Sequence, residues 1–187
     1  MSTVSELAVR LLRVDDLDAC LQCIEKVHVT SGVAGAGHSH PYHRTEPFDL
    51  KQRRARELAR WSAELGQPNW RRAWGLIDRD EIVGELSLTG GALQSEMHRV
   101  GLGMGIVPTH QRRGGGTMLL RAAIAWATGQ PTIDWIDLGV FSDNPGARAL
   151  YRRMGFSEIG TTHDRFRVDG VSLDDTSMTL DVSSPHA

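Results

Sequence analysis

Apolar and β-branched residues crowd the segment from Ala8 to Val14, and two aspartates, Asp15 and Asp16, follow at once. Such a run predicts a strand, and either aspartate can cap the helix that comes next. Leu17, Cys20, Leu21, Ile24, Val27 and His28 recur at the spacing of one buried helical stripe. Periodicity then stops: residues 31–47 are Gly, Ser, Pro and His without a repeat, and they read as a mobile loop. A second helix is predicted from about Phe48 to Leu65, with Leu50, Leu58, Trp61 and Leu65 on one side, arginines over the remainder, and Gly66 and Pro68 ending it.

Beyond Asn69 the period shortens. Trp70–Ile77, Ile82–Thr89 and Val100–Val107 predict three successive strands, joined by a hairpin turn over Asp78–Glu81 and a looser one over Gly90–Glu96. Thr117–Thr128 predicts a helix, Ile133–Val140 a strand, and Pro145–Met154 a helix that starts with proline and stops at Gly155. Phe156–Thr162 and Ser177–Val182 predict two closing strands, paired across a loop near Asp169 and Gly170. These segments make about seven strands and four helices, with no internal repeat and no dividing linker. They predict one α/β (α+β) domain over residues 1–187, with its core at 8–182.

Charge narrows the partners. The 23 acidic side chains nearly balance the 21 basic ones, which argues against a DNA or RNA binder, since backbone phosphates call for a clear cationic excess. Arg44 and the arginines from Arg53 to Arg72 then read as a solvated face. Only Lys26 and Lys51 are lysines, so positive charge comes mostly as planar, bidentate arginine forks. Cys20 and Cys23 lie one turn apart in the first helix, where packing accounts for them; a single CxxC pair is too few ligands for structural zinc. No apolar run is long enough for a membrane span, and Met1–Glu6 is polar, so no membrane partner and a reducing cytoplasm are expected.

Six of the 20 glycines fall in residues 101–116, GLGMGIVPTHQRRGGG. Gly114, Gly115 and Gly116 stand between a predicted strand and a predicted helix. A helix N-terminus offers unpaired amides and a positive dipole end, and glycines let a ligand approach the main chain, so this is a phosphate cradle with Gln111, Arg112 and Arg113 at its rim. A P-loop needs Lys before Ser or Thr, and Gly116 precedes Thr117 directly. Gly101, Gly103 and Gly105 lie within a strand and open no helix, unlike a dinucleotide fingerprint.

With these residues the chain resembles the GNAT superfamily of N-acetyltransferases. Gln111, Gly114 and Gly116 match its acetyl-CoA signature after Val107 and Pro108; VFSDNPGARALYRRMGF, Val140–Phe156, matches its second signature through Asn144, Ala147, Tyr151, Gly155 and Phe156. VRLLRVDDLDACL resembles the family's opening, and the tail FRVDGVSLDDTSMTL resembles the subgroup that includes ribosomal-protein N-terminal acetyltransferases.

The resemblance implies a mixed, mostly antiparallel sheet whose fourth and fifth strands splay to admit pantetheine. It places the pantetheine against Gly105, Ile106 and Val107, the pyrophosphate on the amides from Arg112 to Thr117, including Gly115, and Asn144 and Ala147 on the opposite side. An amide near Ile106 or Val107 would polarise the thioester carbonyl. Glycines 101, 103 and 105 would mark a bulge that bends the strand away. The implied reaction is direct transfer of acetyl from acetyl-CoA to a primary amine of a small molecule or peptide N-terminus, with Tyr151 as the acid for the departing thiolate and no metal. Many relatives place their base where Gly101 stands here; Glu85, Glu96, His98 or a water relay remain, with Glu85 and His98 ranked equal. His110 reads as structural. The acceptor pocket would lie between residues 31–47, with His38, His40 and His43, and residues 163–176, with Asp164, Asp169, Asp174 and Asp175. A non-catalytic acyl-CoA-binding protein of the same fold is the alternative, and homodimers are common in the family.

Overall fold

The computed structural model describes residues 6–33, 38–43 and 45–183. Arg44 lies outside them. Seven strands form one sheet: β1 (Ala8–Leu11), β2 (Arg71–Asp78), β3 (Glu81–Gly90), β4 (Arg99–Ile106), β5 (Trp135–Phe141), β6 (Ser157–Val168) and β7 (Val171–Asp181). Their order is β1-β2-β3-β4-β5-β7-β6, antiparallel throughout except for β4 beside β5. Four helices cover it: α1 (Leu17–Thr30), α2 (Leu50–Ser62), α3 (Gly115–Thr128) and α4 (Pro145–Arg153).

Local chemistry sets the helix ends. The Asp16 carboxylate accepts from the Arg13 amide at 2.8 Å ahead of α1, and Asp49 caps α2 by accepting from the Gln52 amide at 2.9 Å. Asn144 caps α4 by accepting from the Ala147 amide at 3.0 Å, Pro145 sits at its first turn, and Gly155, at φ 95°, ends it. Neither α1 nor α3 has a side-chain cap on its own first turn; the left-handed Gly114, at φ 85°, precedes α3.

Strand alternation divides the sheet into two faces. On one, a side chain at Gly105 would press on Val27 of α1. On the other, Met104 and Ile106 approach α3. Leu76, Leu86, Leu119, Leu120 and Ile136 are fully buried in the core, each contributing about 1.5–3 kcal/mol by leaving water. Among the described residues no helix is long and apolar enough to cross a membrane.

Two expectations need correcting. The closing hairpin is longer than its sequence suggests: β6 and β7 pair as far as Val168 and Val171, leaving only Asp169 and Gly170, both at positive φ, to turn the chain. β6 is an edge strand and mostly exposed, so polar residues occupy both of its faces and the alternation that marks a half-buried strand is missing. The expected bulge at Gly101, Gly103 and Gly105 is absent, because β4 keeps one unbroken register with β3 from Val100 to Ile106.

Candidate active site

The register of β4 creates the site. Its only pairing with β5 is Arg99↔Trp135, Val100↔Ile136 and Gly101↔Asp137, after which the two strands part. The Val107 amide donates to the Val83 carbonyl at 3.0 Å, so the alternation of an antiparallel ladder turns residues 107, 105, 103 and 101 toward β3. Leu102, Met104 and Ile106 therefore turn their N–H and C=O groups the other way; the Leu102 amide still reaches β5 through the Gly101↔Asp137 pair, and beyond it Met104 and Ile106 face the gap. Val107, expected to be a possible carbonyl donor, is tied to β3. Gln111 reaches back with its side-chain amide to donate to the Ile106 carbonyl at 2.9 Å.

The gap opens into a cleft of about 700 Å³. Gly105, Ile106, Gln111, Arg112, Gly114, Gly116 and Thr117 line one end, and Asn144, Ala147 and Tyr151 another. Val107, Arg113 and Gly115 do not line it. Amides 112–116 have no acceptor among the described residues, whereas Thr117 donates to the Gly114 carbonyl at 3.0 Å, so the row of free amides ends one residue earlier than expected. Gly115 is buried, and a side chain there would drive into Leu76. Arg112 is exposed without an ion pair, and Arg153, which sequence patterning did not single out, lines the cleft in the same state.

Tyr151 is buried against Phe156, ring centroids 5.7 Å apart, and desolvation pushes its phenol up to about 12, so it stays protonated at neutral pH. Asn144 uses its side-chain oxygen as the α4 cap, leaving its amide nitrogen for the cleft. His110 bridges Asp78 at 2.8 Å and Thr109 at 2.9 Å, a structural tie between β2 and the segment after β4.

Glu85 lies directly across from Gly105 on the α1 side of the sheet. It is partly open to solvent, and its carboxyl makes no hydrogen bond with the described residues. Burial pushes its carboxyl up to about 7, with Arg71 opposing this and Glu57 reinforcing it. Glu57 is buried on α2, accepting from Arg71 at 2.7 Å and from Arg56 and Arg60 at 3.3 Å each. This helix face is thus a charge network and not wholly a solvated surface. The other candidate bases are elsewhere. His98 is exposed beside Arg99, at the end of β4 where the strands are still paired, and Glu96 is held in the β3–β4 connection by the amides of Ala92 and Leu93 at 2.7 and 3.0 Å.

The three loop histidines separate. His40 stacks on His28 with ring centroids 4.3 Å apart, His38 sets its edge against Phe141, and His43 pairs with Asp169. His38 and His40 line the cleft beside Val27. Among the described residues no group of three His, Cys, Asp or Glu side chains could hold a metal ion. Burial pushes the thiols of Cys20 and Cys23 upward, which leaves them as packing groups.

The acetyltransferase (GNAT) family model matches residues 39–156, more than half of the chain. The chain belongs to the GNAT acetyltransferase family. It is 36% identical over 90 residues to N-alpha-acetyltransferase RimI of Mycobacterium tuberculosis, covering 48% of this chain and 51% of that protein. The chain spans about half the length of the curated relatives it matches, at 51% and 57%. A GNAT-family acetyltransferase of Streptococcus pneumoniae superposes with a TM-score of 0.78 at 18% identity, covering 94% of this chain and 99% of that one. The yncA acetyltransferase of Salmonella typhimurium, solved with acetyl-CoA, gives 0.77 at 21% identity over 97% and 96% of the two chains. The GNAT sheet and its four helices are therefore shared in full, beyond the matched segment.

Proposed function

We propose that this GNAT protein transfers the acetyl group of acetyl-CoA directly to a primary amine, with both bound at once where β4 and β5 part. One observation carries the reading: the main-chain groups facing the gap beyond the last β4–β5 pair, the Leu102 carbonyl, both groups of Met104 and the Ile106 amide, lead to the amides 112–116, which meet no acceptor among the described residues. A pantetheine arm has amides to pair with the first set, and a pyrophosphate suits the second together with Arg112 and Arg153.

Acetyl-CoA supplies the activated acyl group when bound. The Ile106 and Met104 amides are the donors for the carbonyl oxygen as it gains charge, which in other acyl-transfer sites is worth about 3–4 kcal/mol per donor. Glu85 takes the proton from the attacking nitrogen. Freeing an alkylammonium of pKa ~10.4 at pH 7 costs about 4.6 kcal/mol, so a base matters most for that acceptor class. Tyr151 returns a proton to the departing sulfur, and a phenol held near 12 remains loaded for that step.

Replacing the tyrosine separates chemistry from binding. Tyr151→Phe is expected to lower kcat about a hundredfold while acetyl-CoA still raises the melting temperature as in the native protein. Stopped-time thiol release and thermal melts measure the two. Native kcat in the variant would assign Tyr151 to packing. Cofactor-induced stabilisation without transfer to any amine would favour the acyl-CoA-binding alternative.

A further inference from the structure

Within residues 163–176 the closing hairpin presents four aspartates, and three are occupied. Asp164 pairs with Arg167 and accepts from Ser172, Asp169 engages His43, and Asp174 accepts from His163 and from the Asp164 amide. Asp175 makes no hydrogen bond or contact ion pair with the described residues; Arg165 reaches it only as a longer-range charge.

Its placement is specific. Asp175 pairs across from Phe141, and its carboxylate lies over Gly139, where a side chain would come within 2.9 Å of both oxygens. The same face of the sheet carries Gly101, Gly103 and Gly105 on β4. A side chain would meet nothing within 4 Å at Gly101 and only the Ser87 hydroxyl, at 3.6 Å, at Gly103. Between Glu85 on β3 and Asp175 on β7 the floor is therefore bare backbone at Gly101 and Gly103, bounded by Val27 over Gly105 and by the Phe141 side chain on β5. A second, shallower cavity of about 480 Å³ continues from the cleft toward Arg99 and Asp137, and Leu102, Gly139 and Asp175 line both. At its far end Arg99 is matched by Asp137, at 2.7 and 2.6 Å, and by Thr179. Asp175 is left as the unmatched charge at the junction. Burial also pushes its carboxyl above the ordinary aspartate range, a cost that a cation beside it offsets.

We propose that Asp175 is a specificity residue: it reads a second positive group on the acceptor, whose tail lies over the glycine floor while its reacting amine sits toward Glu85. This rests on the acetyl-transfer reading. With β4 and β5 parted at this level, the backbones of β3 and β7 stand more than three strand spacings apart, beyond about 14 Å, so the two nitrogens of such an acceptor are separated by several bonds. The class is a primary amine with a remote cationic centre, a diamine or a peptide bearing one.

The test uses α,ω-diaminoalkanes from diaminobutane to diaminooctane, each beside the monoamine of equal length, with acetyl-CoA and thiol-release detection. The native protein is expected to favour one or more diamines over the matched monoamine at least tenfold in kcat/KM, carried mainly by KM. Asp175→Asn brings that ratio close to one, and Asp175→Glu, which keeps the charge, retains part of it. Transfer to both amines without discrimination, or a preference that survives Asp175→Asn, overturns the assignment and leaves acetyl transfer standing. Acetyl-CoA binding without transfer to any of these amines overturns the dication reading. Absence of both binding and transfer removes the reading on which it rests.

Discussion

Glu85→Gln is expected to lower kcat/KM for an alkylamine by about a hundredfold to ten-thousandfold near neutral pH, the range associated with a positioned general base. Gln keeps the size of the side chain and removes only its ability to accept a proton, so acetyl-CoA binding should be retained. The pH profile distinguishes this role from a structural one. A base works ionised, and the carboxyl of Glu85 lies at about 7; native kcat/KM should therefore rise with pH through that value and fall below it. In Glu85→Gln the limb near 7 disappears, and the remaining slope follows the amine's own deprotonation at higher pH. If the variant keeps both the rate and the limb, Glu85 is not the base, and a water held elsewhere in the cleft takes that place. Arg71 and Glu57 act on the same carboxyl with opposite signs, so Glu57→Gln should move the limb to lower pH, because it withdraws the charge that reinforces the upward shift.

Gly115→Val is expected to be the most damaging change in the phosphate loop, although Gly115 does not touch the cleft. A Cβ at this position enters the space of Leu76, which is wholly buried and has nowhere to move. Overpacking of this kind costs about 1–3 kcal/mol, a fall in Tm of roughly 2–12 °C for a chain of this size. The helix start must also shift outward, taking the amides of Gly114 and Gly116 with it, so acetyl-CoA affinity should drop about tenfold or more. Gly114→Ala is the comparison: a side chain there meets nothing within 4 Å, and its cost of about 1–2 kcal/mol comes from the left-handed backbone alone. Thermal melts with and without acetyl-CoA measure both terms. Native affinity in Gly115→Val would show that the cradle does not depend on how closely α3 packs on β2.

The parts of this fold that are legible in the sequence are those where apolar residues come in regular runs or stripes. The strands from Trp70 to Val107 are short apolar runs between turns, with β2 and β3 buried over most of their length, and α1 and α3 carry stripes of Leu, Ala and Cys, so their types and approximate ends follow from pattern. The far halves of β6 and β7 were not legible, because Thr161 to Arg167 are polar on both faces of an edge strand. α2 misled for a related reason. Its many arginines resemble a solvated face, yet Glu57 among them is buried and holds Arg71 against the sheet, a tertiary pairing that no local spacing encodes.

At the site, the glycines of 114–116 were legible as a helix start open to phosphate, but their division of labour was not: Gly114 turns the chain, Gly115 fits against Leu76, and Gly116 faces the cleft. Which amides point into the gap depends on the phase of the β3–β4 ladder, and that phase exists only once Val107 has found Val83. The sequence marks Gly101, Gly103 and Gly105 as unusual and suggests a bulge; in the structure the register is unbroken, Gly105 makes room for Val27, and Gly101 and Gly103 leave their face of the strand open. His98 and Glu85 were indistinguishable by sequence, since nothing local tells the closed end of the β4–β5 pair from the open one.

The account depends most on acetyl-CoA pairing with β4 as an added strand would. Residue-resolved amide hydrogen exchange, with and without acetyl-CoA, tests this directly. Protection should rise at Met104 and Ile106 and across residues 112–116, while Gly103, Gly105 and Val107, already bonded to β3, and Leu102, already bonded to β5, change little. Equal changes along the whole of β4, or protection confined to residues away from the β4–β5 gap, would contradict it.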